Sequence, residues 1–263
     1  METGDFLFWW FFFASLWAGL IILKKRKGLR AYPGYIKVHY LFLVYLGIAE
    51  SGGTYLFFLL IKKSNPAIVA FIGGLVPLFV AVIAFFYIHE RLKKNEIVGG
   101  LISISGVLVI THVSPDLPVT LILLALGIFL AFSFTSVLIR KKAHDVPPLL
   151  MVMARIYFLF PVFAVSAFIN GGPRLPHLTE GLLLLVGSVA GPLVGTLSYY
   201  AALKNTKATT VTLIKNTQPF IVALLSIPLL NTSITTAQLA GGTVIVLGIS
   251  ILVWGKGKKK NSF

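Results

Sequence analysis

Apolar residues fall along this chain in blocks of about 18 to 23, each closed by charge, proline or glycine, and that is the length an α-helix needs to cross a bilayer. The blocks predict nine spans, at 6–23, 39–61, 66–88, 97–113, 117–139, 149–169, 181–203, 208–230 and 235–254. The first block does not read as a cleaved leader, because Glu2 and Asp5 stand where a signal peptide carries basic residues and no small-x-small site follows. It is expected to remain in the mature protein. Composition agrees with the pattern: 57% of the 263 residues are hydrophobic and 12% charged, with a mean hydropathy of +0.92. That nearly excludes a water-soluble enzyme.

The net charge of +15 would suggest nucleic acid if it lay on a folded polar surface. It lies instead between the apolar blocks. Alternate loops carry 18 Lys and Arg on one side (residues 24–37, 91–94, 140–142, 204–207 and 256–260) and 3 on the other (Lys62, Lys63, Arg174), while Arg155 and Lys215 fall inside spans. Under the positive-inside rule this bias places the C-terminus in the cytoplasm and, with nine spans, the N-terminus outside. Orientation and attraction to anionic lipid account for the basic loops, and no nucleic-acid partner is needed.

Sliding the chain along itself by 142 residues exposes an internal repeat. Gly53 and Thr54 meet Gly195 and Thr196, Lys62 meets Lys204, Pro77 meets Pro219, Gly99 and Gly100 meet Gly241 and Gly242, and Gly106 meets Gly248. Leu and Val alone would make apolar sequences look alike, but helix-breaking Pro and Gly keep register here, and those residues have positional meaning. An odd number of crossings separates the copies, so the repeat is inverted. Inverted repeats around a central site are the mark of secondary transporters, in which alternating access follows from the symmetry. The fold class expected is thus an all-α polytopic membrane protein of two inverted-topology helical repeats, with halves at 1–113 and 114–263. The fifth span has no partner, because its partner would precede Met1.

The first half carries Ser64-Asn65-Pro66-Ala67, Pro77, His89-Glu90-Arg91-Leu92 and Glu96-Ile97-Val98-Gly99-Gly100. The second half answers with Lys207-Ala208-Thr209-Thr210, Gln218-Pro219-Phe220, Leu229-Leu230-Asn231-Thr232 and Gln238-Leu239-Ala240-Gly241-Gly242. In the order and spacing of these residues the chain resembles the drug/metabolite transporter superfamily, EamA type, over nearly its whole length. The resemblance implies ten helices in two five-helix repeats, cytoplasmic termini, and a central cavity that exports amino acids or other small metabolites. Three departures stand out: the first helix is absent, Thr232 occupies the place matching Glu90, and Gln218 precedes Pro219 where family members often carry an acid.

Intramembrane polar groups are costly and become functional candidates by default. Glu50 lies eleven residues into its span, about 16 Å at 1.5 Å per residue and so near the midplane, with Thr54 one turn further and Gly47, Gly52 and Gly53 beside it. It reads either as a ligand for a substrate ammonium or a protonatable gate, or as a neutral acid or one half of a buried ion pair. Lys215 is followed by Asn216 and Gln218, next to Pro219, which breaks the helical hydrogen-bond ladder; pairing with Glu50 or snorkelling to the interface is its structural alternative. Snorkelling is open to Arg155 as well, and Tyr157 with the nearby cytoplasmic boundary offers it a lipid-facing alternative. Glu50 opposite Lys215 or Arg155 would suit a zwitterion. Tyr199 and Tyr200 are further candidates for the cavity wall. Gly73, Gly74 and Pro77, with Pro219 at matching depth, are the hinge candidates. The glycine pairs at 99–100 and 241–242, with Ser103, Gly106 and Gly248, read as close helix packing between halves or between two protomers of a homodimer.

Other chemistry finds little footing. His39, His89, His112, His144 and His177 sit at span ends or in loops at unrelated spacing, so no metal motif forms. There is no cysteine, phosphate-binding loop, nucleophile elbow or ATP-binding domain, and no cofactor is expected. The expectation is a non-enzymatic inner-membrane secondary transporter of a small organic molecule, with membrane lipid as its surroundings and proton or ion coupling through Glu50 open to it. A lipid-linked sugar or nucleotide-sugar carrier is the alternative within transport, and a membrane scaffold subunit without flux the alternative outside it.

Overall fold

The computed structural model describes residues 2–24, 30, 32–63, 69, 73–90, 93–112, 118–215, 217–218, 221 and 236–254, and no strand occurs among them. Helix α1 runs Thr3–Lys24 and α2 Tyr32–Lys63. A 3-10 turn at Gly73–Leu75 leads into α3, Val76–Ile88, and α4 is Lys94–His112. Then come α5, Val119–Lys142, α6, Pro148–Ile169, and α7, Leu178–Ser188, which continues through a π-helical stretch, Val189–Gly195, into α8, Thr196–Asn205. Helix α9 is Ala208–Lys215 and α10 is Thr236–Trp254. Among the described residues five stretches are long and apolar enough to cross a membrane by themselves: Thr3–Lys24, Tyr32–Lys63, Thr120–Lys142, Pro148–Ile169 and Leu178–Asn205.

Three elements differ from the sequence expectation in a way that has a physical cause. Helix α2 begins seven residues before the predicted 39, because Tyr32-Pro33 opens a first turn that joins the span through a kink at His39 (φ −115°, ψ 20°). Pro77 does not stand in mid-helix: it is the second residue of α3, directly after the 3-10 turn, where its missing N–H costs no hydrogen bond. The seventh span is not uniformly α-helical. Pro192 cannot donate to the ladder, and a π-turn closes around it, with the Thr196 hydroxyl donating to the Gly191 carbonyl at 3.4 Å.

Two compact units form, residues 1–58 with 139–205 and residues 59–138 with 206–263. They cut across the sequence halves, because a shift of 142 carries the first segment of each unit onto its second. Each unit therefore combines equivalent pieces of both repeats. Within the second unit α4 and α10 form the most extensive pairing, and their contacts are reciprocal: a Cβ on Gly106 would stand 2.6 Å from the Gly241 carbonyl oxygen, and a Cβ on Gly248 2.6 Å from the Gly99 carbonyl oxygen. Gly99 and Gly241, like Gly106 and Gly248, are repeat equivalents. The Ser103 hydroxyl lies 3.4 Å from the carbonyl of its own equivalent, Ile245. A residue touching its own counterpart is what a pseudo-two-fold axis produces. The first unit repeats the signature: the Tyr157 hydroxyl donates to the carbonyl of its equivalent, Ser15, at 3.4 Å, where α1 packs on α6. The inverted repeat is thus visible as contact geometry as well as sequence.

The core of the first unit is aromatic. Leu7, Phe11, Leu159 and Phe163 are buried together, flanked by Phe6, Trp10, Phe58 and Phe160. The Trp10 ring fills a notch on the neighbouring helix, where a Cβ on Gly187 or Gly191 would stand 2.7 or 2.8 Å from it. The Trp9 indole donates to the Arg174 carbonyl at 2.8 Å, and the Arg174 amide donates to the Asp5 carboxylate at 3.2 Å, tying the start of α1 to the segment after α6.

Candidate functional site

Within the first unit α2 and α6 approach closely at a small residue. Gly47 has no side chain to spare, and a Cβ there would overlap the Phe158 ring. One turn further, the Ser51 hydroxyl returns to the Gly47 carbonyl at 2.7 Å, so its polarity is spent on its own helix. This closeness brings Glu50 and Arg155 together: the Arg155 Nε–H donates to Glu50 Oε2 at 2.8 Å, with each side chain only 13% exposed. The guanidinium carbon also stands 5.7 Å from the centroid of the Phe11 ring, within cation–π range.

Arg155 therefore neither snorkels nor faces lipid. Tyr157 nearby suggested a lipid-facing position, but a close neighbour carrying a carboxylate sets its direction instead. The ion-pair alternative for Glu50 is realised with Arg155, and Thr54 is buried one turn along α2. Taking two charges out of water costs several kcal/mol per ion, and the mutual attraction offsets this only with good geometry and satisfied remaining donors. Here the remaining donors are not all satisfied. Arg155 Nη1 and the hydroxyl of Tyr200, a residue 2% exposed, are buried without a hydrogen-bond partner. Tyr200 is within electrostatic reach of both Glu50 and Arg155. Such orphaned donors in a native structure point to a group that completes them.

Tyr199 is half-buried, and one step along α8 rotates it about 100° away from Tyr200, so the buried member of that pair is Tyr200. Lys215 belongs to the second unit, at the exposed end of α9, and Gln218 is also exposed. Asn216 and Pro219 lie outside the described residues. Gly74 and Pro77 are buried at the break before α3, and a Cβ on Gly73 would stand 3.2 Å from the Phe129 ring.

Two features escaped the sequence reading. One is the π-helical stretch, although Gly187, Gly191-Pro192 and Gly195 spell out a small-residue stripe with a helix breaker inside it. The other is the asymmetry of the repeat. The shift of 142 sets Pro192 opposite Glu50 and Phe13 opposite Arg155, so the pair joins a residue of one copy to a residue of the other, its symmetry-related counterpart carries no charge, and the π-turn stands opposite Glu50. Among the described residues no group of His, Cys, Asp and Glu side chains could hold a metal ion.

Comparison with known proteins places this architecture. The EamA-like transporter family matches residues 1–112 and 119–254. An uncharacterized transporter of Clostridium kluyveri is 27% identical over 76% of this chain and 66% of its own length. The uncharacterized transporter sll1164 of Synechocystis is 23% identical over 73% and 59%, and the uncharacterized transporter YyaM of Bacillus subtilis 27% identical over 81% and 72%. The chain thus spans about two thirds or less of the length of the first two relatives. One solved crystal structure, 20% identical in sequence, superposes with a TM-score of 0.73 over 96% of this chain and 89% of the other, which shows a shared fold.

Proposed function

The chain belongs to the EamA-like transporter family, and from that premise we propose that it is a secondary transporter that moves a small organic metabolite by alternating access. The observation that carries the proposal is the contact between repeat equivalents in each unit, at Ser103 with Ile245 and at Ser15 with Tyr157. Two copies of one unit in opposite orientation give a protein two equivalent conformations that differ in which side is open. Flux then needs only a site whose occupation is tolerated in both.

That site is proposed at Glu50 and Arg155, with Thr54 beside them and Tyr200 over the pair. A buried ion pair contributes little net stability and is replaced by apolar residues at small cost, so its retention in a membrane span fits a role in recognition. The substrate class that fits is a small metabolite carrying charge, such as an amino acid, moved outward across the inner membrane with the C-terminus in the cytoplasm and the N-terminus outside. Proton coupling through Glu50 and a homodimer built on the exposed apolar helices belong to the same proposal. A lipid-linked sugar carrier is the second reading; it is favoured by an apolar groove of about 460 Å³ lined by Trp17, Leu185, Val189 and Val194.

Substrate-dependent counterflow in proteoliposomes tests the proposal. The expected result is accumulation of labelled solute against its own chemical gradient when liposomes are preloaded with the same metabolite. No counterflow for any pool of amino acids, organic acids, amines or sugars, with the protein folded, would leave a scaffold subunit as the reading.

A further inference from the structure

The strongest unexplained feature is the pair of orphaned donors beside the ion pair. Glu50 engages one edge of the Arg155 guanidinium through Nε, while Nη1 is buried with no acceptor, and the Tyr200 hydroxyl, on a side chain 2% exposed, is also without a partner. A guanidinium carries five N–H donors in a rigid fork that matches a planar two-oxygen acceptor, and a tyrosine hydroxyl adds a sixth that rotates to suit. Leaving Nη1 and the Tyr200 hydroxyl unpaired in a low-dielectric interior is costly, so the two form a donor set poised for an anion. The neighbouring surfaces are apolar or aromatic: Phe11 under the guanidinium, Phe158 against Gly47, and buried Met151, Leu159 and Ile156 on α6.

We propose that Arg155 Nη1 and the Tyr200 hydroxyl bind the carboxylate of the transported molecule, which makes the substrate class a small organic acid, amino acids included. The inference rests on the transporter reading and deepens it. Glu50 has two effects. It fixes the guanidinium plane through the 2.8 Å bond to Nε, and it places a like charge near the incoming carboxylate, which keeps binding weak enough for release. An ammonium group on the same molecule would face Glu50. Tyr200 is a positioning and binding residue here, and the repeat-equivalent Phe58 lacks the hydroxyl, so the site is built on one face of the pseudo-symmetry only.

The test uses the purified full chain in detergent micelles with paired probes: pooled L-amino acids and 2-oxo acids against the corresponding amides. Carboxylates are expected to raise the melting temperature and amides to leave it unchanged. Tyr200→Phe should weaken the carboxylate dissociation constant by roughly tenfold or more, the loss typical of a hydrogen bond to a charged group. In the absence of probe it should melt no lower than the parent, since only an unpaired hydroxyl is removed. Glu50→Gln should bind 2-oxo acids, which carry no ammonium group, roughly tenfold tighter, because a like charge beside the anion is gone. Equal stabilisation by acids and amides, or carboxylate binding unaltered in Tyr200→Phe, overturns the inference. Counterflow separates it from the parent reading. Flux of an amine or sugar that Tyr200→Phe leaves intact retains the transporter and rejects the carboxylate site. Carboxylate stabilisation lost in Tyr200→Phe without any counterflow supports the site and rejects transport.

Discussion

Gly248→Ala isolates the packing that holds α4 against α10. A Cβ at this position would stand 2.5 Å from the Ser103 hydroxyl oxygen, 2.6 Å from the Gly99 carbonyl oxygen and 2.8 Å from the Ser103 nitrogen. Two of those three atoms are backbone, so no rotamer change relieves the overlap and the helices must part. Restoring ordinary van der Waals distance to the Gly99 oxygen needs about 0.8 Å, a gap that forfeits between a quarter and a half of each dispersion contact it opens. Overpacking of this kind costs about 1–3 kcal/mol, against which alanine returns up to about 1 kcal/mol of helix propensity. Gly106→Ala should behave alike, because its Cβ would meet the Gly241 carbonyl oxygen at 2.6 Å. Combining the two should cost less than their sum, since the first substitution already parts the shared interface. Gly100→Ala is the control: nothing lies within 4 Å of its Cβ, and only the propensity gain remains. Thermal melting of the purified chain in detergent, followed by size exclusion, reads all four. If Gly248→Ala and Gly106→Ala melt with Gly100→Ala, the close approach of these helices is not what the repeat glycines are for.

Two further outcomes follow from the same geometry. Glu50→Gln and Arg155→Gln each strand a partly buried charge and should each cost about 3–5 kcal/mol, while the double variant recovers much of the loss; strictly additive losses in denaturant titrations would show that the 2.8 Å contact carries no coupling. The chain lacks cysteine, so Gly4→Cys and Ser262→Cys each introduce a single thiol. An impermeant maleimide should label the first in intact cells and the second only after permeabilisation, and the reverse pattern would refute the 18-to-3 charge argument.

Much of the fold was legible because its determinants are local or repetitive. Span positions come from runs of apolar residues, and the described helices start within a few residues of the predicted bounds except at Tyr32-Pro33, where a short polar-aromatic turn precedes the apolar run, and at Val76, ten residues after the predicted 66. The repeat was legible because Gly99, Gly106, Gly241 and Gly248 keep register, and their reason is visible only in space: each opens room for a backbone atom of the opposite copy. The site was legible in part. Glu50 and Arg155 announce themselves as charges in apolar spans, but counting depth along a helix says nothing about which neighbour a side chain meets. Lys215, singled out by its company of Asn216 and Gln218, is exposed at the end of α9.

Sequence by itself determined that the chain is helical and membrane-embedded, that its basic residues lie between spans, and that it is built from two inverted copies. These follow from composition, run length and period, which need no knowledge of what touches what. Tertiary structure alone decided that the compact units each take pieces of both copies, that Pro77 starts a helix while Pro192 opens a π-turn, and that Tyr200 rather than Tyr199 is the buried member of its pair. Those facts depend on contacts between residues more than a hundred positions apart. Such contacts are fixed by close packing at Gly47, Gly106 and Gly248, where the absence of one carbon sets the distance between helices.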